Sequence, residues 1–510
     1  MTTPSQPYNV LFVLSDQHLA TCTGYEGHPQ AITPNMDRLA REGVRFPNAY
    51  TQNPICTPSR VSMLSGQYCH NHGYYGLSGP RPDRLPSFLG HFRSNGYRTA
   101  AIGKLHTPND PDDWIKGHVD RYAECYNYSG NCDAGASEYF DYLEKLGLRD
   151  KEDSIRLPEL PGAQQDEARP SHLPCDHSVE GWCVQQALQF IDESQAAGKP
   201  FCMEVSLPRP HQSYTPDQKF WDMYPDDLDL PPTILQDASH RPRHFQAMVE
   251  RAKSWEGLIE PKGFENVRRR VWRGYLACIT QVDYALGQLL DHLDRSGLAE
   301  NTIVIYGSDH GAYSGTYGVP EKAPGICSEA VCRVPYVWRV PGITPAGHVS
   351  RQLVENIDLA PTIAALCGLA AMETVDGKDI TGLLKGESKP VRSVAVTEHP
   401  WSKAVRWEDW RFVHYQREMF GGEDVGELYN LQDDPNETRN LFADPAYQGV
   451  VAEGRRRLLE WLIGSTRVTT VWPALDYSKA PYDYRTAADG KESNTAGPAW
   501  RAERNQLNYL

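Results

Sequence analysis

The sequence predicts an α/β fold: a mostly parallel central sheet with helices on both faces, followed by a small C-terminal α+β subdomain. Three observations predict it. Short apolar runs alternate with helical patterns, polar clusters follow those runs at their carboxyl ends, and the pattern changes near residue 395.

The run 9–14 (NVLFVL) reads as a buried parallel strand, and it ends in Ser15, Asp16 and Gln17. Thr33 and Pro34 supply an N-cap and a first-turn proline, Met36, Leu39 and Ala40 a helical face, and Gly43 a stop. Residues 98–102 form a second expected strand, followed by Lys104 and His106, and 201–207 a third, followed by His211. Trp272, Tyr275, Ile279, Val282, Leu286, Leu289 and Leu293 recur at steps of three and four, the strongest helix in the chain, with Gly297 placed to cap it. A strand over 302–306 follows, with Asp309 and His310 past its end. Open α/β sheets bind ligands at the carboxyl ends of their strands. Four polar clusters on that edge (Asp16 with Gln17, Lys104 with His106, His211, and Asp309 with His310) therefore point to one site.

The stretches 108–175 and 208–265, rich in turn formers, read as long surface loops that act as lids or substrate walls. Beyond 394, strand-like runs at 394–397, 411–415 and 427–431 and a helix over about 447–463 define the subdomain. The expected division is a main domain over 1–394, the α+β subdomain over 395–465 and a tail over 466–510. That tail holds Trp472, Tyr477, Tyr482, Tyr484 and Trp500, too aromatic for a simple disordered segment. It is expected to pack on the body or on a neighbouring subunit, which makes a homo-oligomer the expectation.

With 510 residues, 40% of them hydrophobic, the chain can bury a large core. A formal net charge of −15 argues against nucleic acid or an anionic membrane as partner. The first eight residues lack the basic and apolar regions of a secretory signal, and no apolar run approaches a membrane span, so a cytoplasmic protein is expected. The 12 cysteines are irregularly spaced, which suits reduced thiols. Cys125 with Cys132, and Cys175 with His177, have spacings that fit no common structural zinc site.

The chemistry centres on CTPSR, residues 56–60. A thiolate phosphatase needs Cys-x5-Arg, but Ser62 occupies that arginine's place and Arg60 follows Cys56 by only four residues. Taken with Asp16 and Gln17, TPNMDRLA (33–40), GKLH (103–106), SDHG (308–311), Glu321 with Lys322, and ELYNLQDDPNETRNL (427–441), the string closely resembles the sulfatase family. That family belongs to the alkaline-phosphatase-like superfamily, and the resemblance runs over most of the chain.

The resemblance implies that a separate formylglycine-generating enzyme converts Cys56 to formylglycine. One hydroxyl of the hydrated aldehyde would attack sulfur, and deprotonating the other would expel sulfate. Asp16, Gln17, Asp309 and His310 would hold one divalent metal ion beside the modified Cys56. Many members carry two aspartates after the first strand. Gln17 makes this site less anionic, and calcium and manganese both remain open. Arg60, Lys104 and Lys322 match positions that hold the formylglycine or the sulfate oxygens. His211 with Lys322 would protonate the leaving group and His106 would act as base, two roles that can be exchanged. Asn71 and His72 are further candidates for the pocket lining. The segment at Ser59 and Arg60 is expected to start a helix whose N-terminal dipole favours an anion.

The implied activity is hydrolysis of a small anionic aryl or alkyl sulfate ester. The alternative is a phosphonate monoester or phosphodiester hydrolase of the same superfamily, whose Asp-Gln and Asp-His pattern this chain resembles. A non-catalytic binding protein on this fold would have lost a key group, and none is missing.

Overall fold

The first strand, β1 (Asn9–Asp16), is buried along its whole length because both of its faces are covered. The computed structural model describes residues 7–77, 85–108, 114–125, 137–152, 168–234, 236–250, 264–314, 316, 317, 319, 322 and 326–467. Cys132, Glu321, the aromatic tail beyond 467 and parts of both expected loop stretches lie outside the described residues.

Along the chain β1 is followed by β2 (Val44–Arg45), β3 (Ala49–Tyr50), β4 (Arg98–Gly103), β5 (Arg121–Glu124), β6 (Phe201–Pro210), β7 (Thr302–Ser308), β8 (Tyr336–Arg339), β9 (His348–Val349) and β10 (Val354–Glu355). Among the described residues, eight of them form one sheet in the order β5, β4, β6, β1, β7, β8, β2, β9. The neighbours from β5 through β7 are all parallel, while β8 runs antiparallel to β7 and to β2. The expected α/β architecture is thus the one adopted. Its consequence for the site is direct: β4, β6, β1 and β7 are adjacent and end on the same edge.

Alternation along β1 sends Val10, Phe12 and Leu14 into a core with Val61, Leu64 and Leu359. Leu11 and Val13 join a second core with Leu39, Trp182, Val282 and Leu289. Each such side chain contributes about 1.5–3 kcal/mol on burial. The second core is roofed by the 32-residue helix Phe264–Arg295, the one read from the three-and-four spacing. It ends as expected: Gly297 has φ 71°, and Leu298 N donates to Leu293 O.

The helix Pro34–Glu42 forms as predicted, but Thr33 does not cap it. The Thr33 hydroxyl accepts from Gly24 N and donates to Asp37, and Asp283 Oδ1 of the long helix takes the free donors Asn35 N (3.0 Å) and Met36 N (2.7 Å). Gly43 is needed for closeness, since a Cβ there would lie 2.1 Å from Trp338 O of β8.

The two loop stretches carry more regular structure than expected. The first contains β5 and the helix Glu138–Leu146, where the Ser137 hydroxyl accepts from Phe140 N and Tyr139, Phe140 and Leu143 turn inward. The second contains the helix Gln218–Trp221, and residues 243–250 are helical.

Near the C-terminus β11 (Ala395–His399), β12 (Ser402–Trp407), β13 (Trp410–Tyr415) and β14 (Gly426–Asn430) form an antiparallel sheet in chain order. The strand β12 escaped the sequence reading because Lys403 and Arg406 break its apolar pattern. Their charges are met by Glu398 and by the Tyr50 hydroxyl. The helix Gln448–Ser465 buries Val451 and Leu458 in a core with Phe412 and Leu428. Residues through Trp461 belong to one compact unit, and the described residues of the second are 462–467. The 427–441 motif has a structural basis: Glu427 accepts from Arg241 (2.5 Å), and Glu437 accepts from Arg241 (3.3 Å) and from Arg411, with all four residues buried. Among the described residues, no helix is long and apolar enough to cross a membrane.

Candidate active site

The helix Cys56–Ser65 begins at Cys56 itself, three residues before the expected start. Ile55 is the N-cap and offers no side-chain cap, so Cys56 is the first helical residue and lies where the free backbone N–H groups and the positive end of the dipole are. All ten residues are buried. Ser59 Oγ anchors this helix by donating to Asp309 O at 2.6 Å.

Arg60, fully buried, is the hub that assembles the strand ends. Its Nε donates to Asp309 Oδ2 (3.0 Å), Nη2 to Asp16 Oδ2 (3.1 Å), and Nη1 to Ser206 Oγ (2.7 Å) and to Lys104 O. One rigid guanidinium thereby binds groups from β1, β4, β6 and β7, which a lysine at this position has too few fixed donors to do.

Each carboxylate therefore gives Oδ2 to Arg60 and turns Oδ1 towards the site, where Asp309 Oδ1 also accepts from Gln17 N and His310 N. Asp16 Oδ1 and Asp309 Oδ1 both lie 3.7 Å from His310 Nε2. Cys56 Sγ stands 3.2 Å from that nitrogen and 3.8 Å from Asp16 Oδ1. The ligand atoms of Asp16, Cys56, Asp309 and His310 all fall within 4.8 Å of one another. His310 Nδ1 donates to Gly311 O at 2.8 Å, which turns the Nε2 lone pair into this cluster.

Two carboxylate oxygens and an imidazole nitrogen converging in a buried space fit a divalent cation by charge and donor type. Gln17 follows Asp16 and is fully buried. Its backbone is left-handed (φ 66°) and is held there by N donating to Asp309 Oδ1 (3.1 Å) and by the Tyr275 hydroxyl donating to Gln17 O (2.8 Å).

The charges follow this packing. Burial would raise the Asp16 carboxyl, but the positive charges of Lys104 and Arg60 outweigh it and hold it well below the usual carboxylate range. Burial and Asp16 would both raise the Cys56 thiol, yet Lys322, Lys104 and His310 bring it below its ordinary value. Burial disfavours a charged His310, but Asp309 and Cys56 together outweigh it, so the ring is held above its usual value.

Lys104 Nζ lies 2.6 Å from Asp16 Oδ2. Lys322 Nζ donates to Gln17 Oε1 at 3.0 Å and to His211 Nε2 at 3.2 Å. Since His211 Nδ1 is engaged by Gln212 O (2.9 Å), the ring is the Nδ1–H tautomer and its Nε2 accepts. Burial, then Lys104 and Lys322, push His211 well below its ordinary pKa, so Lys322 carries the proton of this pair. His106, also left-handed (φ 50°), is pushed far below the usual range by burial, Lys104 and Arg60, and is neutral.

The candidate residues on all four strand ends are thus brought to one place. Asn71 and His72 have other work: Asn71 donates to Asp376 (2.9 Å), and His72 Nε2 lies 2.9 Å from Ser62 Oγ. Cys125 is buried, and His177 Nδ1 is 2.6 Å from the Tyr142 hydroxyl. Sequence reasoning missed Ser206, Gln212 and Tyr275. Only Ser206 left a trace, as a polar residue in the strand β6.

Comparison with known proteins bears on the family and the fold. The sulfatase family model matches residues 8–369, and a model of the C-terminal region of N-sulphoglucosamine sulphohydrolase matches 325–463. A choline-sulfatase of Rhizobium meliloti is 29% identical over 81% of this chain and 78% of its own. An arylsulfatase of Clostridium perfringens is 27% identical over 89% of this chain and 94% of its own. The phosphonate monoester hydrolase SpPMH of Silicibacter pomeroyi superposes with a TM-score of 0.76 at 21% identity, over 92% of this chain and 98% of its own, a likeness of fold.

Proposed function

The chain belongs to the sulfatase family, and from that premise we propose that it hydrolyses aryl or small alkyl sulfate esters through formylglycine at position 56 and one divalent metal ion. One observation carries the reading. Cys56 opens a buried helix with its sulfur 3.2 Å from His310 Nε2, inside the ring of Asp16 and Asp309. The sulfur stands where the hydroxyls of the hydrated aldehyde would be, in reach of the cation the carboxylates would hold.

Asp16, Gln17, Asp309 and His310 would ligate the metal, which supplies Lewis acidity toward the nucleophile and the sulfate oxygens. The chain's own groups do the rest. The N–H groups of the Cys56 helix face the anion, and Lys104 offsets its charge. Lys322 holds a proton for the leaving oxygen, and neutral His211 fixes its ammonium. His106, held neutral by burial and by the charge of Lys104, is the candidate base. Formylglycine at this position requires a separate generating enzyme that acts on Cys56.

The deciding experiment is the mass of the tryptic peptide 46–60, which contains one cysteine, from protein made in its native host. A lighter peptide that reacts with a carbonyl reagent supports the proposal. An intact alkylatable thiol removes the nucleophile. A second reading, phosphonate monoester or phosphodiester hydrolysis, is favoured by Gln17 where a second carboxylate is common. Turnover of matched aryl sulfates and aryl phosphonates separates the two.

A further inference from the structure

We infer that Gln212 is a positioning residue: its side-chain carbonyl sets the orientation of the Gln17 amide and thereby the affinity of the site for its metal ion. This rests on the reading of Gln17 as a ligand. The backbone of Gln17 is already fixed by Asp309 and Tyr275, so the side-chain amide is its remaining freedom. An amide has two orientations of nearly equal shape, and only the oxygen can meet a hard cation.

The surroundings select one of them. A lysine ammonium only donates, so the atom 3.0 Å from Lys322 Nζ is Oε1. The amide nitrogen of this fully buried residue then needs an acceptor, and Gln212 Oε1 at 3.4 Å provides it. The carbonyl oxygen has a second lone pair, so it can serve Lys322 and a cation together. Gln212 acts twice, since its backbone carbonyl also accepts from His211 Nδ1 at 2.9 Å. One residue just past β6 therefore holds the two groups that meet at Lys322, and it links the end of β6 to the end of β1.

The test uses the full-length, metal-stripped protein in wild-type, Gln212→Met and Gln212→Glu forms. Methionine keeps the length and removes the acceptor, whereas glutamate keeps an acceptor oxygen. Binding of Mn²⁺ and of Ca²⁺ is measured by titration calorimetry, beside melting curves of the metal-free proteins. The expected result is affinity about tenfold weaker for Gln212→Met, recovered in Gln212→Glu, with the three metal-free melting curves close together. Wild-type affinity in Gln212→Met overturns the inference. So does a loss that Gln212→Glu does not recover and that tracks a lowered metal-free melting temperature, which marks a merely structural residue. A wild-type protein that takes up neither ion removes the metal reading itself, and this inference with it.

Discussion

The sulfur of Cys56 and Nε2 of His310 stand 3.2 Å apart although 254 positions separate the two residues in the chain. One opens a helix; the other follows the end of β7. Their meeting depends on Arg60, four residues after Cys56, which binds the carboxylates of Asp16 and Asp309 at once.

Arg60 should therefore matter to stability before it matters to turnover. Removing one member of a buried ionic cluster leaves the others uncompensated, at a cost of about 3–5 kcal/mol. Urea unfolding of Arg60→Met in the unmodified Cys56 form should show a loss of that size, with Arg60→Lys recovering part. A loss below about 1 kcal/mol, the range of ordinary surface changes, would mean that Arg60 is not the hub.

Glu204 offers a pH test that lies outside the proposed ligands. Its Oε2 is buried with no hydrogen-bond partner, and burial, helped by Asp309 and opposed by Arg60, pushes its carboxyl up to about 7 from 4.5. A folded value above the unfolded one means that the stability contribution is fully present below pH 4.5 and is lost as pH rises towards 7. Glu204→Gln should accordingly gain stability relative to wild type between pH 5 and pH 8, on the order of 2–3 kcal/mol. The same difference at both pH values would contradict it.

The acid pair has a kinetic signature. Lys322 holds the proton and His211 fixes its direction, so Lys322→Ala and His211→Ala should slow esters with poor leaving groups most and good ones least. A leaving-group series of aryl esters measures this, and equal losses across the series would sink the assignment.

Chelation should remove both activity and stability. A site of two carboxylates and one imidazole, loaded with ion at 100–1,000 times Kd, contributes roughly 3–4 kcal/mol to folding. Dialysis against a chelator should lower the melting temperature and abolish turnover, and readdition of Mn²⁺ or Ca²⁺ should restore both. Full activity in metal-free protein would refute the metal reading.

Much of this architecture was legible in one dimension, because local physics writes it there. The apolar run of β1, the three-and-four spacing from Trp272 to Leu293 and the glycine at 297 are short-range patterns, and they formed as read. Polar residues past strand ends placed the site at one sheet edge, and the CTPSR string singled out Cys56. What the string leaves open are choices made between distant residues. Asp283 caps a helix that Thr33 seemed placed to cap. Arg60 divides its nitrogens among four strand ends, and Gln212 meets Gln17 across 195 positions. Such partners carry no periodic or local signal: each needs only the right donor or acceptor at the point where the folded chain brings it, and that point exists only once the sheet has formed.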